Sequence, residues 1–343
     1  MVTSQHSGQS IVDSRRSFLP DLRQPAAALN TAVTLAGLAP SIHNTQPWHW
    51  RLAASGVDLW AERRRRLATS DPDGRLLTVS CGAALHHAQT ALAALGYRSI
   101  VLPFPDPDRS DHLARLSLAG PVPVTAAVMR LFHAIGLRST QRRPGRPVPL
   151  DSNALLRVII AAQSEGCFLQ PLRPDQVVEL AAIVAQAQDA QAADPAWRAE
   201  IARWSGGTRR GGTGVPEANI PDHRPHTTVA QRDFGRPGTL PVGDGNDLAA
   251  SYAILYGVAD EPQDWLTAGR ALSHAWLAAT DAGIAVMPVS APVEVPAARR
   301  VLRRMLPGAG YPYLVLRLSE ADERLGPPPT PRLPTAGVVS AAD

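Results

Sequence analysis

The chain has 343 residues, 45% of them hydrophobic, with 34 basic and 30 acidic residues and a formal net charge of +4. That is enough apolar material for one large core or two modest ones, and no apolar run is long enough to span a bilayer, so no membrane partner is expected. Every basic residue in the count is arginine, which excludes a lysine Schiff base and the lysine of a phosphate-cradling P-loop; any phosphate must be held by guanidinium groups, hydroxyls and backbone amides.

Residues 1–20 are polar and lack a charged-then-apolar leader pattern, so a flexible amino terminus and a cytoplasmic protein are expected. Apolar residues recur at helical spacing over 25–38, and Pro40 stops the run. The stretch 39–51, APSIHNTQPWHWR, comes next. Ser41 and Asn44 are residue types that bond nearby backbone or a ligand, Gln46-Pro47 forces an extended turn, and Trp48 and Trp50 alternate with polar residues as in a strand. Such a mix suits a planar, heteroatom-rich ligand with an apolar face, flavin above all. The same residues suit a core with a capped turn equally well.

Residues 48–53 and 56–60 predict a hairpin, and the basic run 63–66 reads as a solvated segment without the interleaved aromatics of a nucleic-acid module. No nucleic-acid partner is expected. A helix over about 81–95, closed by Gly96, and strands at 99–102 and 114–118 complete one α+β unit. Cys81 and Cys167 lack any metal or redox spacing and read as buried thiols. No metal site is expected: His86, His87 and His274 fall on expected helices, and the repeat makes His87 and His274 read as structural residues.

In the second half, LRSTQRR at 137–143 sets Arg138, Ser139, Thr140, Arg142 and Arg143 just ahead of a helix over 153–162. Bidentate guanidiniums with a hydroxyl suit a phosphate monoester; an ordinary basic loop has the same composition. Residues 189–247 carry GGTRRGGTGVP, IPDHRPH and FGRPGTLPVGDG, rich in Gly and Pro and poor in periodicity, which predicts a lid or binding loop, with a helix-like ADPAWRAEIARW at its start. A strand at 314–318 follows, and PPPTPRLP places Arg332 on a stiff segment.

The two halves repeat. Gly82, Ala84, Leu85, His87, Ala88, Ala91 and Gly96 recur as Gly269, Ala271, Leu272, His274, Ala275, Ala278 and Gly283, each pair 187 positions apart. The chain is thus expected to be an internal duplication, with a first half over 21–122, a second over 123–335 and a flexible carboxyl end at 336–343.

The pattern APSxHNTQPWxWR resembles the flavin-contacting motif of the nitroreductase superfamily, and the form with His between Ser and Asn resembles the Acg family of actinobacteria, whose chains fuse two nitroreductase-like halves. The resemblance implies an α+β nitroreductase-like fold, a pseudo-dimer with a lid-like insertion. It also implies a non-covalent FMN, NAD(P)H as hydride donor, and a small-molecule acceptor such as a nitroaromatic, quinone or enone, reduced by ping-pong transfer with no catalytic side chain. By the same resemblance Pro40, Ser41, Asn44, Gln46, Pro47, Trp48 and Trp50 contact the flavin. LRSTQRR resembles the family's RSxR phosphate motif with one extra residue, implying that Arg138, Ser139 and Arg142 hold the phosphate, with Arg332 as the terminal arginine closing over it. The segment 283–292 corresponds to the strand and loop facing flavin N5, which brings in Met287, Pro288, Val289 and Ser290.

The copies have diverged in opposite directions. SEGCFLQPL, the second copy of the first motif, keeps only Gln170-Pro171, while the RSTQR of the second half has only Ser14 to Ser17 as a weak equivalent in the first. One competent site per chain is expected, complete in a monomer. The competing expectation is an FMN-sequestering or storage protein with an occluded flavin; a third is a flavin-dependent dehydrogenase of peptides or natural products.

Overall fold

The structure is a computed structural model that describes residues 24–53, 55–207, 211–322 and 326–341. The expectations for residues 1–20, Ser14 to Ser17 among them, lie outside the described residues. Helix α1 (Pro25–Ala36) opens with a proline, whose missing N–H costs nothing at that position, and turns Ala28, Leu29, Ala32, Val33 and Ala36 inward. The motif loop then leads into the antiparallel hairpin β1 (Trp48–Ala53) and β2 (Gly56–Ala61). Helix α2 (Arg75–Ala94) starts earlier than the apolar pattern predicts, because the buried Asp71 carboxylate accepts the Leu76 and Leu77 N–H groups at 3.0 and 2.8 Å and satisfies its open end. Strands β3 (Tyr97–Pro103) and β4 (His112–Pro121) complete the first unit.

The second unit contains α3 (Ala126–Leu137), α4 (Ser152–Ser164), β5 (Phe168–Pro171), α5 (Pro174–Ala193), α6 (Pro195–Trp204), β6 (Ser251–Gly257), α7 (Pro262–Asp281), β7 (Ile284–Val289), α8 (Ala291–Glu294), α9 (Pro296–Arg304) and β8 (Tyr311–Glu320). A last strand, β9 (Val339–Ala341), closes the described chain. The sheets run β3-β4-β2-β1-β9 and β5-β6-β8-β7. Taken from its other edge, the second is β7-β8-β6-β5, the same order as β3-β4-β2-β1, and the strands shared by this order pair antiparallel in both sheets. The duplication is therefore present in topology as well as in sequence.

The central helices α2 and α7 cross at the repeated glycines. A Cβ on Gly82 would lie 2.1 Å from Leu266 O, and one on Gly269 would lie 2.0 Å from Val79 O. Gly82 and Gly269 are thus contact points inside helices; neither marks a helix end. So close is the crossing that the cores interlock: Leu76 and Val79 of α2 join the core of the second half, and Leu266 of α7 joins that of the first.

Two boundaries differ from expectation. The insertion expected at 189–247 occupies 172–250, all the chain between β5 and β6, and so includes α5, whose regular apolar face disguises it as part of the basic unit. The carboxyl end expected to be flexible at 336–343 is ordered at 339–341, where β9 pairs parallel with β1, Trp50 opposite Val339. It covers what would otherwise be an open sheet edge, and the buried Val338 anchors it in the first core. Cys81 and Cys167 are both buried and unbridged. Among the described residues no helix is long and apolar enough to cross a membrane.

Candidate active site

A cavity of about 450 Å³ lies where α2, α7 and the sheet of the second half meet the loop preceding β1. The motif loop contributes Pro40, Ser41, His43 and Asn44; the segment between α3 and α4 contributes Arg138, Ser139, Thr140 and Arg142. Met287, Pro288, Val289 and Ser290 come from β7 and its end, and Arg332 from the proline-flanked carboxyl segment. The structure brings these expected residues to one place although they span most of the chain.

Gln46, Pro47, Trp48 and Trp50 do not line the cavity. The two indoles alternate onto the same face of β1, and that face is the one against α1 and α2, so both rings are fully buried in the first core. Gln46 is a brace: its Nε2 donates to Gly212 O at 2.7 Å, and its Oε1 accepts the Leu333 N–H at 2.9 Å. Asn44 lines the cavity but its amide is also engaged, donating to Gly214 O and Pro331 O at 3.0 Å each and accepting from Arg332 Nη1 at 3.1 Å. The loop pays for these roles in backbone strain, with His43, Asn44 and Gln46 at φ of 45°, 54° and 49°. Ser41 Oγ, accepting the Gln46 N–H at 2.9 Å, and Ser80 Oγ, accepting the Ile42 N–H at 3.1 Å, hold it in place.

The arginines set the electrostatics. Arg138 Nη2 and Arg332 Nη2 donate to the same carbonyl, Leu38 O, at 3.2 and 3.3 Å, and Arg138 lies over the Trp276 ring at 4.8 Å. The Nε atoms of both are buried without a partner. Among the described residues no ion pair joins Arg138, Arg142 or Arg332 to a carboxylate, and no carboxylate lines the cavity. Burial, and for Arg138 also the neighbouring Arg332, lowers their pKa values, to about 9 for Arg138 and about 10 for Arg142 and Arg332. Cations desolvated without a counter-charge are costly, and an anion entering the cavity relieves that cost.

Arg142 keeps different company from the other two. Its guanidinium lies over Phe234 at 5.6 Å, and with Arg232 it depresses His43, whose imidazole is kept neutral first by burial and then by these two cations. The extra residue in LRSTQRR accounts for the difference: Thr140 bridges to Val286 and Gln141 N–H donates to Val286 O at 3.1 Å, so the loop runs beside β7 before reaching Arg142.

Part of the wall was not expected. Val215, Asn219, Gln231, Arg232 and Phe234 of the insertion line the cavity, as do Leu272 and Trp276 of α7. Arg232 fastens the insertion by pairing with Glu294 and donating to Ser290 Oγ at 3.0 Å; Gln191 Nε2 donates to the same Glu294 at 2.7 Å. The insertion residues follow no period that could have marked them. Trp276 could have been found, since it stands where the first copy of the repeat has Gln89.

No protein-family model matches the chain. Rv3131 of Mycobacterium tuberculosis, named as a candidate NAD(P)H nitroreductase, is 38% identical over 323 residues, covering 92% of this chain and 91% of that protein. Acg of the same organism, named in the same way, is 30% identical over 329 residues, covering 92% and 96%. Among solved structures, a nitroreductase with bound FMN from Bacteroides fragilis aligns with 62% of this chain and 98% of its own, at 15% identity and a TM-score of 0.38.

Proposed function

The chain belongs to the nitroreductase family, with the Acg-like proteins, and from that premise we propose that the cavity holds one FMN and serves NAD(P)H-dependent reduction of a small electron-poor acceptor. The observation that carries this reading is the set of half-buried guanidiniums of Arg138, Arg142 and Arg332 around one cavity, none of them ion-paired with a carboxylate among the described residues. The residues fit the cofactor. Arg138 and Arg332, converging on Leu38 O with their Nε–H groups unpaired, suit a phosphate dianion, and the Ser139 hydroxyl beside them adds a donor. Val79, Leu272, Trp276 and the 287–290 segment supply apolar and backbone surface of the kind a flat ring needs. Arg142, with neutral His43 beside it, adds positive charge to the cavity that would favour negative charge on a reduced ring.

When bound, FMN would supply hydride transfer between NAD(P)H and an acceptor such as a nitroaromatic or quinone. The chain's part is to orient the ring, exclude water and favour negative charge. Among the described residues no carboxylate able to act as general base lines the cavity. A second reading, FMN storage, is favoured by one observation: the insertion is fastened over the cavity by Asn44, Gln46 and the Arg232–Glu294 pair. Anaerobic stopped-flow mixing of the FMN-loaded protein with NADPH separates the two. Rapid bleaching of the yellow protein supports the reductase. Bleaching that is slow in the native chain but accelerated in Arg232→Ala supports storage behind a fastened lid, and a protein that cannot be loaded with FMN overturns both.

A further inference from the structure

The halves are built alike, so the cavity wall has a counterpart across the Gly82–Gly269 crossing. Ile42, whose N–H meets Ser80 Oγ at 3.1 Å, corresponds to Gly166, whose Cβ would sit 3.8 Å from Thr267 Cγ2; Ser80 and Thr267 are one repeat apart. By the same alignment Glu165 stands where the first copy has Ser41. This counterpart has a different chemistry. Glu165 Oε1 lies 3.3 Å from His274 Nδ1 and 3.8 Å from His86 Nε2. The two imidazoles stack at 4.9 Å between centroids with a 24° interplanar angle, and one donor atom from each of the three residues lies within 4.8 Å of the others.

We propose that His86, Glu165 and His274 bind one divalent first-row transition-metal ion of the zinc class, at the degenerate counterpart of the cavity. Two imidazole nitrogens and a carboxylate oxygen form a donor set that Zn(II), Co(II) and Ni(II) accept, with a fourth position left to water. Neighbouring groups orient two of the three donors, as metal ligands require, and the third, His274 Nδ1, meets Ser164 Oγ at 3.2 Å, a contact that an ion would displace. Ser273 Oγ sits 2.8 Å from His86 Nδ1, which turns Nε2 toward Glu165, and Arg270 Nη2 holds Glu165 Oε2 at 2.5 Å, leaving Oε1 toward the imidazoles. Ligand bonds of about 2.0–2.2 Å require the three donors to draw together by roughly an ångström. Glu165 and His274 can move that far, because their side chains remain partly exposed, and the same exposure gives an ion a way in.

The test uses the full chain loaded with FMN, equilibrated with zinc chloride, dialysed against metal-free buffer and assayed for zinc by elemental analysis, with isothermal titration for affinity. One zinc per chain is expected, with at least tenfold weaker binding in Glu165→Gln and in His274→Ala, and full retention in the Cys81→Ser/Cys167→Ser double variant. Flavin content is read separately by absorbance, so a failed flavin reading does not disturb the metal result. Titration of the unaltered chain with Co(II) checks the site without any substitution: a four-coordinate visible difference spectrum supports it. No zinc retained, zinc retained equally by the Glu165 and His274 variants, or a Co(II) spectrum like that of the aqueous ion would show that the cluster is a proton-sharing imidazole–carboxylate contact and overturn the proposal.

Discussion

Arg138 concentrates the site's residue-scale energetics, since it is a desolvated cation sharing Leu38 O with Arg332 and lying over Trp276. Replacing it with Ala should weaken FMN binding by about 2–4 kcal/mol, the range for losing a charge-assisted partner of a buried anion. Fluorescence titration with FMN reads this directly, and an unchanged Kd would remove Arg138 from the phosphate. Asp58 shows the opposite electrostatic solution, a buried carboxylate fully paired. It accepts from His112 Nε2 at 2.8 Å and from Arg115 through both oxygens at 2.8 Å. Burial raises its pKa, but the hydrogen bonds from Arg115 and His112 outweigh that and leave it below the ordinary value. A depressed folded pKa contributes stability that is present above the unfolded value, about 3.9, and lost as pH falls through the folded one. The melting temperature should therefore drop below about pH 4, and Asp58→Asn, less stable at neutral pH, should show a flatter acid limb.

At the scale of elements, the α2–α7 crossing decides whether a cavity exists at all, because Val79 and Ser80 of one helix and Leu272 and Trp276 of the other form its wall. Gly82→Ala sets two effects against each other. Helix propensity favours Ala by about 1 kcal/mol. The new Cβ, however, would lie 2.1 Å from Leu266 O, a backbone atom that cannot turn aside. Overpacking of about 1–3 kcal/mol or more should win, lowering the melting temperature and weakening FMN binding together; a stabilised variant would show that the helices cross elsewhere. The insertion carries a comparable dual role. It covers the cavity and also forms part of its lining, so its residues act on affinity as well as access.

At the scale of the molecule, the two sheets of matching strand order and the interlocked cores make the chain its own partner. The residues proposed for FMN come from both halves and surround one cavity, whereas the counterpart position holds His86, Glu165 and His274. The protein should therefore bind one FMN per chain and do so as a monomer. Titration to stoichiometry combined with light scattering measures both quantities; two equivalent sites per chain, or binding that requires association, would contradict the assignment.

The duplication and the absence of lysine were legible in the sequence, because composition and repeat spacing are local properties of the chain, whereas the gathering of Pro40, Ser41, Asn44, Arg138, Ser139, Arg142, Arg332 and residues 287–290 was expected only from the resemblance of their motifs to those of the nitroreductase family. What the local pattern could not carry was direction. Trp48 and Trp50 look like ring contacts beside Asn44, yet strand alternation sends both into the core, and which face of a strand is inner depends on the helices that pack on it. Gln46 and Asn44 turned out to brace the insertion and the carboxyl segment, partners more than 160 and 280 residues away. Tertiary structure alone decided those contacts, the place of β9 beside β1 and the meeting of His86, Glu165 and His274, since each depends on closing a long stretch of chain whose end-to-end geometry no local pattern records.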